Sequence, residues 1–476
     1  MLTCDLGQSS SQTTTITIDV LPNDTLLDIY DFHRIHECET NHLGWEWYRL
    51  VHVCRLWRQI IVASPLRLWL HLRCTNNTPV RQHLDVWPPL PLIIDYDLVT
   101  SQVPNPEDNL LAALEHPDRV VVYDLCFMDS HLEKLATVLQ KPFPVLTSLQ
   151  LALEYGERLL PAGFLDGSMP SLQYLHLLSL PFPELPKLLL STRSLVTLDL
   201  HEIPPSGYIS PQAMATCLST LTGLTYLSIT FQEDVFVLPD QIDPASVTPI
   251  ALPSLISIYF KGICEYTEPL FAQIDCPRLQ RIDMSFYDSS FGFQVTELSN
   301  FVNRSEDPGL PPVCRTNVHI GPFDIALHIF SSVHDNLMIT LRLSGEEWDI
   351  LDLVHVFSKF SHTLSNTREL FLGFSGNKHP EIAHSEWVQL LRPFTTMQAL
   401  TIFGDLVAHV ALFLEDVDAE MASNLVPALE FLCIEDLPES LSVAKFCAFR
   451  QLSGRPVTFT RSMCELDEIL PWNAIE

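Results

Sequence analysis

Residues 172–177 read LQYLHL and residues 195–200 read LVTLDL, so both stretches follow the pattern L-x-x-L-x-L. The pattern recurs with substitutions at twelve places, whose first residues are Val120, Leu146, Leu172, Leu195, Leu224, Leu255, Leu279, Arg315, Met338, Thr367, Met397 and Leu429. The first and last starts lie 309 residues apart, so the spacing averages about 28 residues. Such a period is typical of proteins built from stacked structural repeats.

The closing L-x-L of each copy predicts a short β-strand. Side chains two positions apart lie on one face of a strand, whereas positions five apart on a helix differ by about 140° around the axis. Five copies also have a proline two places before their first apolar residue, where a preceding helix has to end. These prolines are Pro144, Pro170, Pro253, Pro277 and Pro427. Amphipathic helices in a leucine-rich chain are the alternative, which the irregular intervals leave open.

This pattern resembles the leucine-rich-repeat family over roughly residues 119–440. The resemblance implies an α/β fold, an irregular solenoid with parallel strands on its concave face and helices or loops on its convex face. Three copies have Glu154, Leu180 and Ile203 where the family usually has asparagine or cysteine, so we expect imperfect repeats. No single repeat would be stable alone, because neighbouring repeats bury its apolar side chains.

A second pattern lies between residues 18 and 72. An L-P dipeptide precedes a short leucine-containing segment, and a V-C-x-x-W segment and a late L-W follow; the residues are Leu21, Pro22, Leu26, Ile29, Val53, Cys54, Trp57, Leu68 and Trp69. Apolar residues at spacings of three and four predict a helix from about Trp47 to Val62. The segment resembles an F-box-like motif, with a polar insertion at residues 33–46 that is longer than a compact F-box needs.

These two resemblances predict four regions. A disordered tail at residues 1–15 precedes an F-box-like domain at 16–75, a proline-containing connector at 76–118 and a leucine-rich-repeat-like domain at 119–476. The tail contains SSSQTTT and has almost nothing to bury.

The F-box-like resemblance implies docking on the Skp-type adaptor of a cullin ubiquitin ligase. A module this small cannot bury all its large apolar side chains, and exposed apolar groups mark partner sites. We therefore expect adaptor contacts from Leu21, Pro22, Leu26, Ile29, Tyr30, Leu50, Val53 and Trp57. Trp57 is the expected anchor, since large aromatic residues tend to dominate interface energetics. Six arginines and no acidic residue lie between Arg49 and Arg81, which suits an acidic partner but also fits a solvated surface.

Composition and charge exclude other classes of function. The chain has 27 Lys and Arg against 58 Asp and Glu, and its net charge of −31 would repel nucleic acid. Its longest apolar run, around Leu406 to Leu414, is shorter than the roughly 20 residues of a membrane span. The twelve cysteines form no C-x-x-C pair, and the start of the chain lacks the features of a signal peptide. We therefore expect no nucleic-acid or membrane partner and a cytoplasmic or nuclear location.

A search for catalytic motifs finds none of G-x-G-x-x-G, G-x-x-x-x-G-K-[ST], G-x-S-x-G or H-E-x-x-H. His33, His36, Cys38 and His42 have the chemistry of zinc ligands, but their spacing matches no standard zinc finger. The sequence therefore predicts a protein that is not an enzyme and that has no cofactor and no metal.

In a leucine-rich-repeat fold, the residues that alternate with the buried leucines face the concave surface. The candidate target-binding residues are Tyr174, His176, Asp199, His201, Tyr226, Tyr259, Lys261, Arg281, Asp283, Arg342 and Glu369. Aromatic residues mixed with both signs of charge are typical of protein recognition, although any exposed strand alternates similarly. The first hypothesis is a substrate receptor of a cullin-RING ligase with an unidentified protein target. The alternative is an interaction scaffold without a ligase role.

Overall fold

The structure is a computed structural model, and it describes residues 21–29, 52–63, 69–75, 79–86, 89–97, 107–128, 132, 134–135, 137–154, 159–160, 163–167, 169–232, 249–287, 295–304, 313–321, 323–331, 337–344, 350–375 and 382–461. The chain divides into two compact units, residues 1–125 and 126–476. Within the described residues, none of the helices combines the length and apolar character that crossing a bilayer requires.

The first unit contains helices and parallel strands. In chain order they are α1 (residues 23–29), α2 (Arg55–Val62), β1 (Leu70–Arg73), α3 (Val80–Val86), β2 (Leu92–Asp97), α4 (Glu107–Leu114) and β3 (Val120–Phe127), the last two residues of β3 belonging to the second unit. Strands β1 and β2 are parallel, with Leu70 beside Leu92, and β3 follows β2 in the sheet.

The range 76–118, which the sequence suggested as a connector, contains α3, β2 and α4. Leu92, Ile94 and Tyr96 are buried and alternate with less buried residues, which is the two-residue period of a strand. Pro89 and Pro91 precede β2 rather than interrupt it, and a proline there removes no ladder hydrogen bond. The prolines therefore border a regular strand.

The second unit is a mixed α/β structure around a large, mostly parallel sheet. The strands of its main sheet are β4 (Ser148–Leu153), β5 (Tyr174–Leu178), β6 (Thr197–Ile203), β7 (Tyr226–Phe231), β9 (Ser257–Gly262), β11 (Arg281–Phe286), β12 (Val313–Ile320), β13 (Asp324–Ser331), β14 (Leu337–Ser344), β15 (Glu369–Phe374), β16 (Ala399–Gly404), β17 (Phe431–Ile434) and β18 (Thr458–Thr460). Two short parallel strands, β8 (Ile250–Ala251) and β10 (Ile274–Asp275), form a separate sheet.

Helices occupy most of the connections between these strands. They are α5 (Leu185–Ser191), α6 (Pro211–Leu218), α7 (Cys264–Gln273), α8 (Thr296–Arg304), α9 (Ile350–Lys359), α10 (Ser361–Leu364), α11 (His384–Leu391), α12 (Leu406–Asp416), α13 (Ala419–Asn424) and α14 (Ala444–Leu452). Ser210 caps α6 by accepting a hydrogen bond from the backbone N–H of Ala213 (3.3 Å), and Pro211 occupies its first position.

The twelve predicted strands all form, and the five prolines that precede them lie in β-turns. The N–H of Leu146 donates to the carbonyl of Phe143 at 3.3 Å, with Pro144 at the second position of the turn. The same hydrogen bond recurs before β5, β9, β11 and β17 at 3.2–3.3 Å. Proline favours this turn position because its fixed φ matches it, so these prolines direct the chain into each strand.

Strands β12 to β14 depart from the expected run of parallel strands. The sheet order is β11-β14-β13-β12-β15, and β13 is antiparallel to both of its neighbours. Residues 321–323 alone separate β12 from β13, which is too short for a parallel crossover of about a dozen residues. The short connection forces β12 and β13 into a hairpin. As a result β14, and not β12, pairs with β11.

The core of the second unit lies between the apolar side of the sheet and the helices. Leu198, Leu227 and Ile258 pair side by side along the sheet, and each is at least 95% buried. The Tyr266 ring of α7 packs against the rings of Phe231 (4.8 Å) and Phe260 (5.8 Å), which fixes this helix on β7 and β9. Burying each such side chain contributes about 1.5–3 kcal/mol.

Candidate functional site

The side of the second unit's main sheet that lies opposite its apolar core carries mostly polar residues, and we call it the polar face. The central row of this face runs across the strands through Gln150, His176, Asp199, Ser228, Tyr259, Asp283, Thr340, His328, Asn317, Phe371, Thr401 and Cys433. Paired side chains on neighbouring strands stand about 4.8 Å apart. They can therefore contact one ligand together.

All eleven target-binding candidates occupy positions that alternate with core residues. Tyr174, Tyr226, Arg281 and Glu369 lie near the starts of their strands, and His176, Asp199, Tyr259 and Asp283 lie in the central row. Lys261 and Arg342 lie one row further along. His201 pairs with Leu178, and its buried Nδ1 has no hydrogen-bond partner among the described residues.

His176, Asp199 and Ser228 lie side by side in the central row. Asp199 Oδ2 lies 2.8 Å from His176 Nδ1, and Asp199 Oδ1 is buried without a hydrogen-bond partner among the described residues. Burial opposes ionisation of Asp199, but the hydrogen bond with His176 and the nearby polar side chains hold its pKa below its usual value. The acid lies between the serine and the histidine, whereas a catalytic triad needs the histidine in the middle. This group therefore orders the face and does not activate a nucleophile.

Asp283 is a buried acid, 4% exposed, in the middle of the face. Burial raises the pKa of its carboxyl, and the charges of Arg342 and Arg281 oppose that effect. Arg281 Nη2 lies 3.8 Å from Asp283 Oδ2, and Tyr259 stands beside the acid on β9. Asp283 therefore lies close to the guanidinium of Arg281, and the positive charge of Arg342 also acts on its carboxylate.

Ser285 lies between two cations in the next row and was missed by the sequence analysis. It pairs with Lys261 on one side and with Arg342 on the other. We call these three residues the basic notch. The Lys261 ammonium lies 5.1 Å from the centre of the Tyr287 ring, which helps to hold it in place. Serine is common on exposed strands, so its position between two cations appears only once the pairing is known.

His328 and Asn317 lie on the two hairpin strands, β13 and β12, and neither was among the predicted site residues. His328 was missed because β13 was not predicted. Burial, together with the charge of Arg342 and the neighbouring His319, lowers the pKa of His328 to about 4. The imidazole is therefore neutral at physiological pH. Asn317 is buried, and its Oδ1 has no hydrogen-bond partner among the described residues. The middle of the face is thus polar but uncharged here.

The face becomes aromatic at strands β15 to β17. Phe371, Phe403 and Phe431 lie on it, and Phe431 is 53% exposed. We call these three residues the aromatic end. The Arg315 guanidinium lies 5.3 Å from the centre of the Phe371 ring and pairs with Glu369 at 3.1 Å. An added Cβ at Gly373 would collide with the ring of Phe403, so glycine lets that ring lie flat across the neighbouring strand.

The F-box-like residues of the first unit are partly buried. Trp57 is 3% exposed and Leu26 is 2% exposed, so in this structure neither side chain offers a partner much surface, and the anchor role of Trp57 stays a prediction. Burial of a large aromatic side chain stabilises its own domain, and the buried side chain then has little surface left to contact a partner. Ile29 (38% exposed) and Val53 (53% exposed) remain accessible apolar groups.

The other predicted docking residues divide by position. Pro22 is exposed and Leu21 half-buried, while Tyr30 and Leu50 lie outside the described residues. Among the described arginines, Arg73 pairs with Asp95 at 3.2 Å and Arg81 pairs with Glu115 at 3.3 Å, which reduces the local positive charge.

The described part of the chain contains no group of three or more His, Cys, Asp or Glu side chains that could hold a metal ion. The candidate ligands His33, His36, Cys38 and His42 lie outside the described residues. No protein-family model matches this chain, and no curated protein matches it. Function is therefore inferred from the polar face and the exposed apolar residues of the first unit.

Proposed function

We propose that this chain is a non-catalytic recognition subunit of a cullin-RING ubiquitin ligase, in which an irregular leucine-rich-repeat domain binds a target protein through the polar face. Each L-x-x-L-x-L copy contributes one strand, and each of these strands in the second unit's main sheet places one side chain in the central row of this face. A rigid sheet presents its side chains with little entropy left to lose, which favours binding.

One observation carries the recognition role. Exposed aromatic residues and charges of both signs stand on the same face of the sheet, where Tyr174 is 48%, Tyr226 36% and Phe431 53% exposed. Tyrosine and arginine are enriched where proteins bind other proteins, and isolated polar strands do not require them. The catalytic steps would belong to other subunits of the ligase.

The ligase role rests on the F-box-like resemblance of residues 18–72 and on Ile29 and Val53. Both residues belong to that pattern, and both remain exposed. Exposed apolar side chains on a small domain favour a partner interface, here with a Skp-type adaptor. A ligase subunit of this kind would work in the cytoplasm or nucleus.

The burial of Leu26 and Trp57 favours a second candidate, a scaffold in which these residues only stabilise their own unit. In that case the polar face binds a partner, but no adaptor docks on the first unit. The two candidates therefore differ in whether the chain binds a Skp-type adaptor.

Adaptor binding by purified full-length chain separates these candidates. In the double variant Ile29→Asp/Val53→Asp we expect the affinity for the adaptor to fall by at least about 100-fold, since a central apolar contact contributes roughly 2 kcal/mol. Isothermal titration calorimetry measures this. Val86→Asp is the matched control, because Val86 is exposed in the same unit but outside the F-box-like pattern.

The control should bind as tightly as the unmodified chain. A double variant that binds equally well would remove Ile29 and Val53 from the interface. Absence of binding by the unmodified chain would favour the scaffold.

A further inference from the structure

The basic notch can bind one carboxylate with three groups. Lys261 and Arg342 stand two strand spacings apart, about 9.6 Å between their backbones, with Ser285 between them. Both cationic side chains are long enough to reach an anion above the serine. The hydroxyl of Ser285 is then placed to donate a third hydrogen bond.

The charge around the notch favours an anion even though the whole chain is acidic. Among the described residues at these positions of the face, Lys261, Arg281 and Arg342 supply three positive charges and the buried Asp283 supplies one negative charge. The local excess is therefore about two positive charges in a chain of net charge −31. Such a site selects an acidic group locally, while the rest of the surface repels polyanions.

The aromatic end lies on the same face and offers the complementary apolar contact. From β11 to β15 there are four strand spacings, about 19 Å, and from β11 to β17 there are six, about 29 Å. An extended peptide covers about 3.3 Å per residue, so these distances correspond to roughly six and nine residues. The intervening positions, Thr340, His328 and Asn317, add no charge.

We propose that the polar face binds an extended acidic segment of a partner protein, with an Asp or Glu carboxylate in the basic notch and an aromatic or aliphatic side chain on the aromatic end, about six to nine residues away. This inference rests on the recognition role proposed above and names the class of segment recognised. It does not depend on adaptor docking.

Panning a displayed library of random 16-residue peptides on the full-length chain tests this proposal. We expect enriched peptides to contain Asp or Glu separated by about six to nine residues from Phe, Trp, Tyr or Leu. The strongest is then made as a fluorescent peptide, and its Kd is measured by anisotropy. The affinity should fall as salt is raised, because an ion pair at a partly exposed site is screened.

Two variants with matched controls test the two contacts separately. Ser285→Glu places a carboxylate in the notch and should weaken binding at least tenfold, whereas Ser148→Glu makes the same change on the same face five strand spacings away and should stay within twofold. Phe431→Ser should also weaken binding about tenfold. Its control, Phe323→Ser, changes an exposed phenylalanine in the β12–β13 connection and should not.

Lys261→Gln provides a second route if Ser285→Glu lowers the melting temperature, and it should weaken binding of the acidic peptide by a similar factor. The proposal is overturned if the enriched peptides lack acidic residues, if both serine variants have the same effect, or if no peptide is enriched. Adaptor binding without such peptides would retain the ligase role and remove this class of segment. Peptide binding without adaptor binding would do the reverse.

Discussion

Arg450 provides a sharp test of how the last repeat is held together. The residue lies on α14 and is 1% exposed. Its Nη1 donates to the carbonyls of Ala422 (3.4 Å) and Val426 (3.1 Å), and its Nη2 donates to those of Pro427 (3.5 Å) and Leu429 (2.8 Å). One guanidinium thus joins α14 to the end of α13 and to the turn that leads into β17.

We expect Arg450→Met to destabilise this end of the second unit by about 3 kcal/mol. Hydrogen bonds from a charged donor contribute about 1.5–3 kcal/mol each, and two of the four are short enough to count fully. Methionine restores most of the packing volume and removes the cost of burying a charge. We therefore use about 1.5 kcal/mol for each of the two short hydrogen bonds, the lower end of the range per bond.

Hydrogen–deuterium exchange with mass spectrometry measures the effect locally. A loss of about 3 kcal/mol should speed exchange of the β17 and α14 amides about 100-fold, since 1.4 kcal/mol corresponds to a factor of ten. Peptides from β5 and β6 should exchange as before. The control is Arg455→Ala, because the exposed side chain of Arg455 donates to one carbonyl among the described residues, that of Ser423, at 3.1 Å.

The control should change exchange by less than about fivefold, because one exposed hydrogen bond contributes about 1 kcal/mol or less. If Arg450→Met exchanges no faster than Arg455→Ala, the buried guanidinium does not hold the last repeat. Equal acceleration in β5 and β6 would instead show that the unit opens as a whole.

Two further predictions concern half-buried carboxylates, Glu268 and Asp95. Glu268 accepts hydrogen bonds from two backbone N–H groups in the first turn of α8, at 2.8 and 3.1 Å. Glutamine keeps only one acceptor oxygen, so Glu268→Gln should destabilise α8 by about 1 kcal/mol. Faster amide exchange in α8 measures this. Asp95 has a lowered pKa because of His71 (3.6 Å) and then Arg73 (3.2 Å), which outweigh its burial. A carboxyl group whose pKa is lowered by folding stabilises the folded state at pH values above its unfolded pKa of about 3.9. This stabilisation is lost as the pH falls through the pKa of the folded state. Asp95→Asn should therefore be less stable at pH 7 and approach the unmodified chain toward pH 2 in urea unfolding.

Much of the candidate site followed from alternation along single strands. Side chains in a strand point alternately to its two faces, so the buried leucines at Leu198 and Leu200 place Asp199 on the opposite face without further information. The same reasoning placed Tyr259 beside buried Ile258 and Phe260. The role of Ser285 was missed because nothing in its own strand shows that Lys261 and Arg342 stand beside it.

The sequence by itself determined the twelve strands that carry the L-x-x-L-x-L pattern, since its period is a property of neighbouring residues and of the geometry of an extended chain. It also determined which side chains leave the core. Only the tertiary structure decided that β14 rather than β12 lies beside β11, that Ser285 stands between Lys261 and Arg342, and that Trp57 is buried. These features depend on contacts between residues distant in the chain, whose order is set by connection lengths and competing burial.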